Sequence, residues 1–282
     1  MTLSKEAPGS SAHGSTEFIE VDGVRVATRS VGAGEPLVLL HRFRGTLDDW
    51  DPALLSALAL ERRVITFDSI GVGESGGEAP TSVESAADFA AGVVRSLGLG
   101  ATHILGWSLG GFVAQVLAVK QPTLVRKLVL TGTMAPRGSA EVVWSPQWLE
   151  RASTPVPSPE IALSLFFTGS ETSRAAGGAS FGRMHPPASF VSPRAMAAQA
   201  QAITRFANNE GGWYARLKEI AVPTFVANGD QDGLFPAIGS TVLAREIPGS
   251  RLAIYPDSGH AFLFQYIDRF SEDLLRFLSE PS

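Results

Sequence analysis

Five residues constrain this chain most: Gly106-Trp107-Ser108-Leu109-Gly110. An apolar run, Thr102 to Leu105, precedes them, and a helix-like stretch, Gly111 to Lys120, follows. A strand that turns sharply into a helix at a serine projects the hydroxyl out of a sheet. Glycines two before and two after permit the crowding of strand and helix, because a Cβ at either place would clash. The motif alone is short. Its setting, with an Asp and a His downstream, gives it weight.

The flanking sequence predicts the rest of the sheet. Glu17 to Glu20 and Val24 to Arg29 flank Asp22-Gly23, a hairpin signal. Strands are predicted at Pro36 to Leu40, Arg63 to Phe67, Thr102 to Trp107 and Arg126 to Thr131, and helices at Trp50 to Leu58 and Val83 to Leu97. That alternation argues an α/β fold with a mostly parallel sheet covered on both faces. The rhythm breaks at Met134. As far as about Leu217 the chain is rich in Pro, Ser, Ala and Gly, with short helices predicted at Pro159 to Phe167 and Pro193 to Phe206. It then resumes with strand Thr224 to Ala227, helix Pro236 to Ile247, strand Arg251 to Tyr255 and helix Phe262 to Leu278. The expected organisation is a flexible start over residues 1–16, one core built from 17–133 and 218–282, and a cap or lid inserted over 134–217.

Whole-chain properties narrow the class. The chain has 282 residues, 44% of them apolar, enough for one large core. Net charge is −5 with no long basic run, which argues against nucleic acid and anionic membrane surfaces as partners. There is no cysteine, so neither disulfides nor a thiolate metal site can form. No stretch reaches 18 uninterrupted apolar residues, and the start lacks the apolar segment of a signal peptide. A cytoplasmic enzyme, monomeric or homodimeric, is expected.

A serine hydroxyl needs a base, and the base needs an orienting acid. His260 follows the turn Tyr255 to Gly259 and is the expected base. Asp232, in the loop after Thr224 to Ala227, is the expected acid, with Asp230 its rival. Asp257 is too close to His260 to turn back onto it. His103 lies in a strand and reads as a packed residue. His185 lies in the insertion, His13 in the flexible start. His41 ends a strand near the site, but nothing after it would place it as a base. The oxyanion needs donors too. The Leu109 amide, at the start of a helix, is one, and the Phe43 amide, in the loop His41-Arg42-Phe43-Arg44-Gly45, is the other expected donor. His41, Arg42, Trp107, Trp144 and Phe166 are candidate substrate contacts. Gly71-Val72-Gly73-Glu74-Ser75-Gly76 fits a dinucleotide fingerprint literally, yet Glu78-Ala79-Pro80-Thr81 follows where a helix should open, so the glycines read as a turn.

With these pieces in place the chain resembles the α/β-hydrolase superfamily over about residues 17 to 280, the cap excepted. The matching segments are the loop at His41, Phe67 to Ser75, the serine turn, Gly229 to Asp232 and Gly259-His260. The resemblance implies an eight-stranded, mainly parallel sheet with helices on both faces and a helical cap after the sixth strand. It also implies the order Ser, Asp, His, and a hydrolase of small esters or lactones that uses no metal or organic cofactor. C–C bond hydrolases, lyases and cofactor-free haloperoxidases look similar at this level, and a non-catalytic ligand receptor on the same fold is a further class. One departure stands out: members commonly carry His-Gly where this chain has His41-Arg42. Arg42 either pairs with Asp48 or Asp49, or it, or Arg44, binds a substrate carboxylate or polarised carbonyl.

Overall fold

The computed structural model describes residues 14–138, 150, 152–154, 158–184 and 190–281. Eight strands form one sheet: β1 (Glu17–Val21), β2 (Val24–Val31), β3 (Pro36–Leu40), β4 (Arg63–Phe67), β5 (Thr102–Trp107), β6 (Val125–Thr131), β7 (Thr224–Gly229) and β8 (Arg251–Tyr255). Their spatial order is β1-β2-β4-β3-β5-β6-β7-β8. The first two strands make a hairpin in which Asp22 and Gly23 take positive φ, +48° and +79°. That is the two-residue turn whose twist matches the strands. β2 is antiparallel to β4, and every pairing from β4 through β8 is parallel.

Six described helices belong to the core: α1 (Pro52–Ala59), α2 (Val83–Ser96), α3 (Leu109–Lys120), α8 (Ala237–Glu246), α9 (Phe262–Gln265) and α10 (Ile267–Ser279). Four more lie between β6 and β7: α4 (Pro159–Phe166), α5 (Glu171–Arg183), α6 (Pro193–Ala207) and α7 (Trp213–Arg216). These four are the described helices of the segment expected as a cap.

Alternation along the parallel strands builds two apolar layers, one on each face. Val38, Ile65, Ile104 and Leu128 meet Phe112, Val116 and the buried side of α2. Leu37, Leu39, Leu105 and Val129 meet Trp50, Leu54, Phe262 and Phe270. At roughly 1.5–3 kcal/mol for each large apolar side chain buried, these two layers supply the drive for folding. The sheet they build has a switch point. From β3 the chain moves to β4 on one side, and returns as β5 on the other. Crevices at the carboxyl ends of such strands are where α/β proteins bind small molecules. Here the loop His41–Gly45 leaves β3, and Ser108 leaves β5, at that crevice.

The helix predicted over Phe262 to Leu278 is two helices, α9 and α10. Tyr266 interrupts them with φ −113° and ψ 43°, and its phenol donates to the Pro256 carbonyl at 2.9 Å. Helix α5 was outside the sequence expectation altogether.

Candidate active site

The site starts from backbone strain. Ser108 has φ +60° and ψ −118°, a conformation that L-residues avoid at a cost on the order of 1–3 kcal/mol. Two hydrogen bonds hold it there: Ser108 N–H donates to the Thr131 carbonyl and Gly111 N–H to the Ser108 carbonyl, both at 2.9 Å. The flanking glycines are required by space. A Cβ on Gly106 would lie 2.3 Å from the Gly110 carbonyl oxygen, and one on Gly110 would lie 2.1 Å from that of Leu40. The second approach also brings the start of α3 against the end of β3, so that Leu109 and the His41–Gly45 loop are neighbours. Leu109 opens α3, and a helix leaves its first N–H groups without intrahelical partners.

His260 reaches the same place from the far side of the sheet. Trp107, the residue before Ser108, donates its indole N–H to the His260 carbonyl at 3.1 Å. Gly132, just past β6, lets the two crowd together: a Cβ there would lie 3.2 Å from the Trp107 indole and 3.3 Å from His260 Nδ1. The imidazole is enclosed by Trp107, by Phe166 stacked at 6.0 Å and by Phe235 edge-on at 5.6 Å. Its Nδ1 stands 2.7 Å from Asp232 Oδ2. Asp232 is itself fixed, because Oδ1 accepts from the backbone N–H groups of Leu234 and Phe235 at 2.8 and 2.9 Å. Both partners are buried. A carboxylate with both oxygens so engaged orients an imidazole without swinging away.

The rivals are placed elsewhere. Asp230 is exposed and accepts from Ser258 N–H at 3.1 Å, bracing the turn that leads to His260. Asp257 accepts from the Thr168 and Ser170 hydroxyls. His103 lies buried in β5 against Glu35, 3.2 Å away. His41 packs tilted against Trp50 at 4.9 Å, and burial, with Arg42 and Arg29 nearby, holds its pKa well below the ordinary value. The glycine-rich segment 71–76 closes on itself, Gly71 N–H donating to the Gly76 carbonyl at 2.8 Å, and α2 opens only at Val83. Among the described residues, no three His, Asp or Glu side chains gather as metal ligands.

Two of the candidate substrate contacts have partners within the protein, and for Arg42 one of them is Asp49, as one of its two readings expects. Trp107 is 1% exposed, and its indole packs on Trp50 and Phe264 as well as on His260, so it supports the imidazole from within the core. Arg42 does not present a free charge. Its guanidinium pairs with Asp49, donates to the Phe43 carbonyl at 2.8 Å and lies over the Phe166 ring at 5.0 Å. Phe166 is half-buried and faces His260. His41 lines a cavity behind Leu109 and Gly110. Trp144, like His185 and His13, lies outside the described residues.

The profile of the alpha/beta hydrolase fold matches residues 35–265, most of the chain. The chain belongs to the alpha/beta hydrolase family. A non-heme haloperoxidase of Rhodococcus erythropolis is 30% identical over 278 residues, 91% of this chain and 97% of that protein. An alpha/beta hydrolase fold protein from Chitinophaga pinensis superposes with a TM-score of 0.88 at 34% identity, covering 96% of this chain and 99% of that one. An enol-lactonase of Burkholderia xenovorans shares the fold, with a TM-score of 0.76 at 22% identity over 94% of this chain and all of its own. Within this alpha/beta hydrolase no described helix is long and apolar enough to cross a membrane.

Sequence reasoning missed Gln199 and the backbone contact of Phe166. Gln199, on α6, accepts from the Arg44 backbone N–H at 2.9 Å. The Phe166 carbonyl accepts from Ala261 N–H at 2.9 Å, tying the inserted segment to the His260 loop. Neither residue type nor spacing in the sequence signals a contact 155 or 95 positions away.

Proposed function

We propose that this alpha/beta hydrolase cleaves small carboxylic esters or lactones through an acyl-enzyme on Ser108. The observation that carries the reading is the buried Asp232–His260 hydrogen bond, 2.7 Å long, anchored through Trp107 beside a serine held at φ +60°. In the proposed reaction Ser108 Oγ attacks the substrate carbonyl carbon, and His260 Nε2 takes its proton. Asp232 keeps the proton of Nδ1 on its own side and balances the imidazolium charge. The carbonyl oxygen becomes an oxyanion, to which the Leu109 and Phe43 amides donate. Donors of that kind contribute about 10²–10³ in rate each, because charge develops on the oxygen only as the transition state forms. Collapse expels the alkoxide, which recovers the proton from His260. Water then enters, gives a proton to His260 and attacks the acyl carbon. The second oxyanion collapses, the bond from the acyl carbon to Ser108 Oγ breaks, and Oγ takes the proton from His260, leaving the acid and the free serine.

Hydrolysis by wild type and Ser108→Ala of p-nitrophenyl esters of graded chain length, and of a set of lactones, tests the reading. Turnover that disappears in Ser108→Ala is the expected result, and the chain-length profile sizes the acyl site. Full turnover by Ser108→Ala contradicts it.

A second reading keeps the same acyl-enzyme and replaces water with hydrogen peroxide, which yields a peracid. The haloperoxidase relative, matched over nearly its whole length, favours it. The aromatic enclosure of His260 by Trp107, Phe166 and Phe235 is compatible with a site that disfavours water. Product analysis in the presence of peroxide separates the two.

A further inference from the structure

The Phe43–Arg44 peptide unit is held at both of its ends by side chains from different parts of the molecule. Its carbonyl accepts from Arg42 Nη1 at 2.8 Å. Its N–H donates to Gln199 Oε1 at 2.9 Å. Arg42 is braced on the core side by its pair with Asp49, whose other oxygen accepts from the N–H and hydroxyl of Thr46 at 2.8 and 2.9 Å. Gln199 belongs to α6 and is buried against this loop, 7% exposed. The guanidinium of Arg44 also reaches the inserted segment, donating to the carbonyls of Ala152 at 3.0 Å and Thr154 at 2.7 Å.

The unit needs this restraint. Arg44 has φ +59°, in the left-handed region that a residue with a Cβ avoids. A half-turn of the Phe43–Arg44 peptide plane changes ψ of Phe43 and φ of Arg44 together, and so relieves that strain locally. The backbone bond of the turn, from Gly45 N–H to the Arg42 carbonyl at 3.0 Å, spans this plane without fixing it. The two side-chain bonds oppose the flip directly. The amide one residue earlier in the same turn is that of Phe43, which the catalytic reading above uses as an oxyanion donor.

We propose that Gln199 is a positioning residue: by holding the Arg44 N–H from the cap while Arg42 holds the Phe43 carbonyl from the core, it makes the aim of the Phe43 oxyanion donor depend on the docked position of α6. This rests on the acyl-enzyme reading. It also gives Arg42 a role, since a residue without a side chain could not hold the second end. Oxyanion donors act on the transition state far more than on bound substrate. Removing the clamp therefore lowers kcat and spares KM.

The test compares wild type, Gln199→Leu and Gln199→Glu on a p-nitrophenyl ester, with inhibition by an aryl trifluoromethyl ketone, whose serine adduct carries the oxyanion. Gln199→Glu keeps the acceptor. The expected result for Gln199→Leu is a kcat loss on the order of 10-fold or more, KM within about 3-fold, and ketone affinity lost in parallel with kcat. Gln199→Glu is expected to stay within about 3-fold of wild type in all three. Should Gln199→Leu fail to fold by circular dichroism, Gln199→Ala carries the same expectation. Wild-type kcat and ketone affinity in the leucine or alanine variant would overturn the proposal, as would an equal loss in Gln199→Glu. A wild type that neither hydrolyses esters nor reacts with a fluorophosphonate at Ser108 would instead overturn the catalytic reading, and this inference with it.

Discussion

Asp232 Oδ2 lies 2.7 Å from His260 Nδ1, while Asp232 Oδ1 is saturated by the N–H groups of Leu234 and Phe235. The side chain therefore has one orientation, and one tautomer of His260 satisfies it: the one with its proton on Nδ1 and Nε2 free to accept from a serine. Asp232→Asn would present an amide N–H to one of these donors, or force the other tautomer. Its kcat/KM on an ester is expected to fall about 10³–10⁴-fold, the scale at which triads lose the acid. Asp230→Asn, at an exposed turn-bracing position, is expected to change it by less than about 10-fold. Equal losses would reassign the acid.

Trp107 is expected to separate positioning from binding. Trp107→Phe keeps an aromatic ring against Trp50 and Phe264 but removes the N–H that holds the His260 carbonyl. A loss of about 1–3 kcal/mol in stability is expected from the cavity and the unpaired carbonyl. With it should come a drop in kcat at nearly constant KM, read from steady-state kinetics beside a urea melt. A rise in KM alone would return Trp107 to the substrate contacts.

Arg42→Gly removes the guanidinium and leaves the turn its backbone. Because the guanidinium is engaged by Asp49 and by the Phe43 carbonyl, its loss is expected to lower kcat on neutral and on acidic esters by the same factor. A selective loss on acidic esters would show that Arg42 binds a substrate carboxylate after all.

Asp68 gives a pH signature of stability. Its carboxyl is buried between the N–H groups of Leu47 and Glu74, both at 2.8 Å, and burial pushes its pKa up to about 6 despite those donors. The folded state thus binds this proton more tightly than the unfolded chain, whose carboxyl titrates near the ordinary value of 3.8. The stabilising contribution is complete below about pH 4 and is lost as pH rises through 6, at most about 3 kcal/mol. Urea midpoints of wild type measured from pH 4 to pH 7 are expected to fall relative to those of Asp68→Asn. Parallel curves would contradict it.

Asp51 joins α1 to α5. Fully buried, it caps α1 through Ala53 N–H at 2.9 Å and accepts from Ser180 and Arg183 of α5. Arg183→Ala is expected to cost roughly 1–3 kcal/mol, discounted for the partial exposure of the arginine, and to loosen α5 against the core. Proteolysis within residues 171–183 before global unfolding would report that loosening.

Much of this was legible in the sequence because each signal was local. Arg63 to Phe67, Thr102 to Trp107 and Arg251 to Tyr255 are strands as read, since β-rich runs bounded by turn residues leave little choice of period. Asp22-Gly23 dictated its own hairpin. Helix α5 was illegible for the opposite reason. Its sequence, ETSRAAGGASFGR, has no apolar stripe and two adjacent glycines. One of them, Gly177, is buried by tertiary packing, a Cβ there falling 2.4 Å from a Leu163 methyl. For Arg42 the sequence offered Asp48 or Asp49 as partner, and Asp49 is the one it meets; the contact of Gln199 was hidden, because polarity shows that a side chain will find partners but not which ones. The glycine signature at 106 and 110 was readable because its cause, close approach of backbone, lies within the same turn and the strand beside it.

The most direct test of the account is to mix the protein with excess p-nitrophenyl acetate, quench with acid within the first turnovers, and locate the acetyl group by peptide mass spectrometry. An acyl-enzyme on Ser108 gives a burst of p-nitrophenol and an acetyl adduct on the peptide that carries Ser108, both absent from Ser108→Ala. Steady turnover with no adduct on Ser108, undiminished in Ser108→Ala, would contradict it.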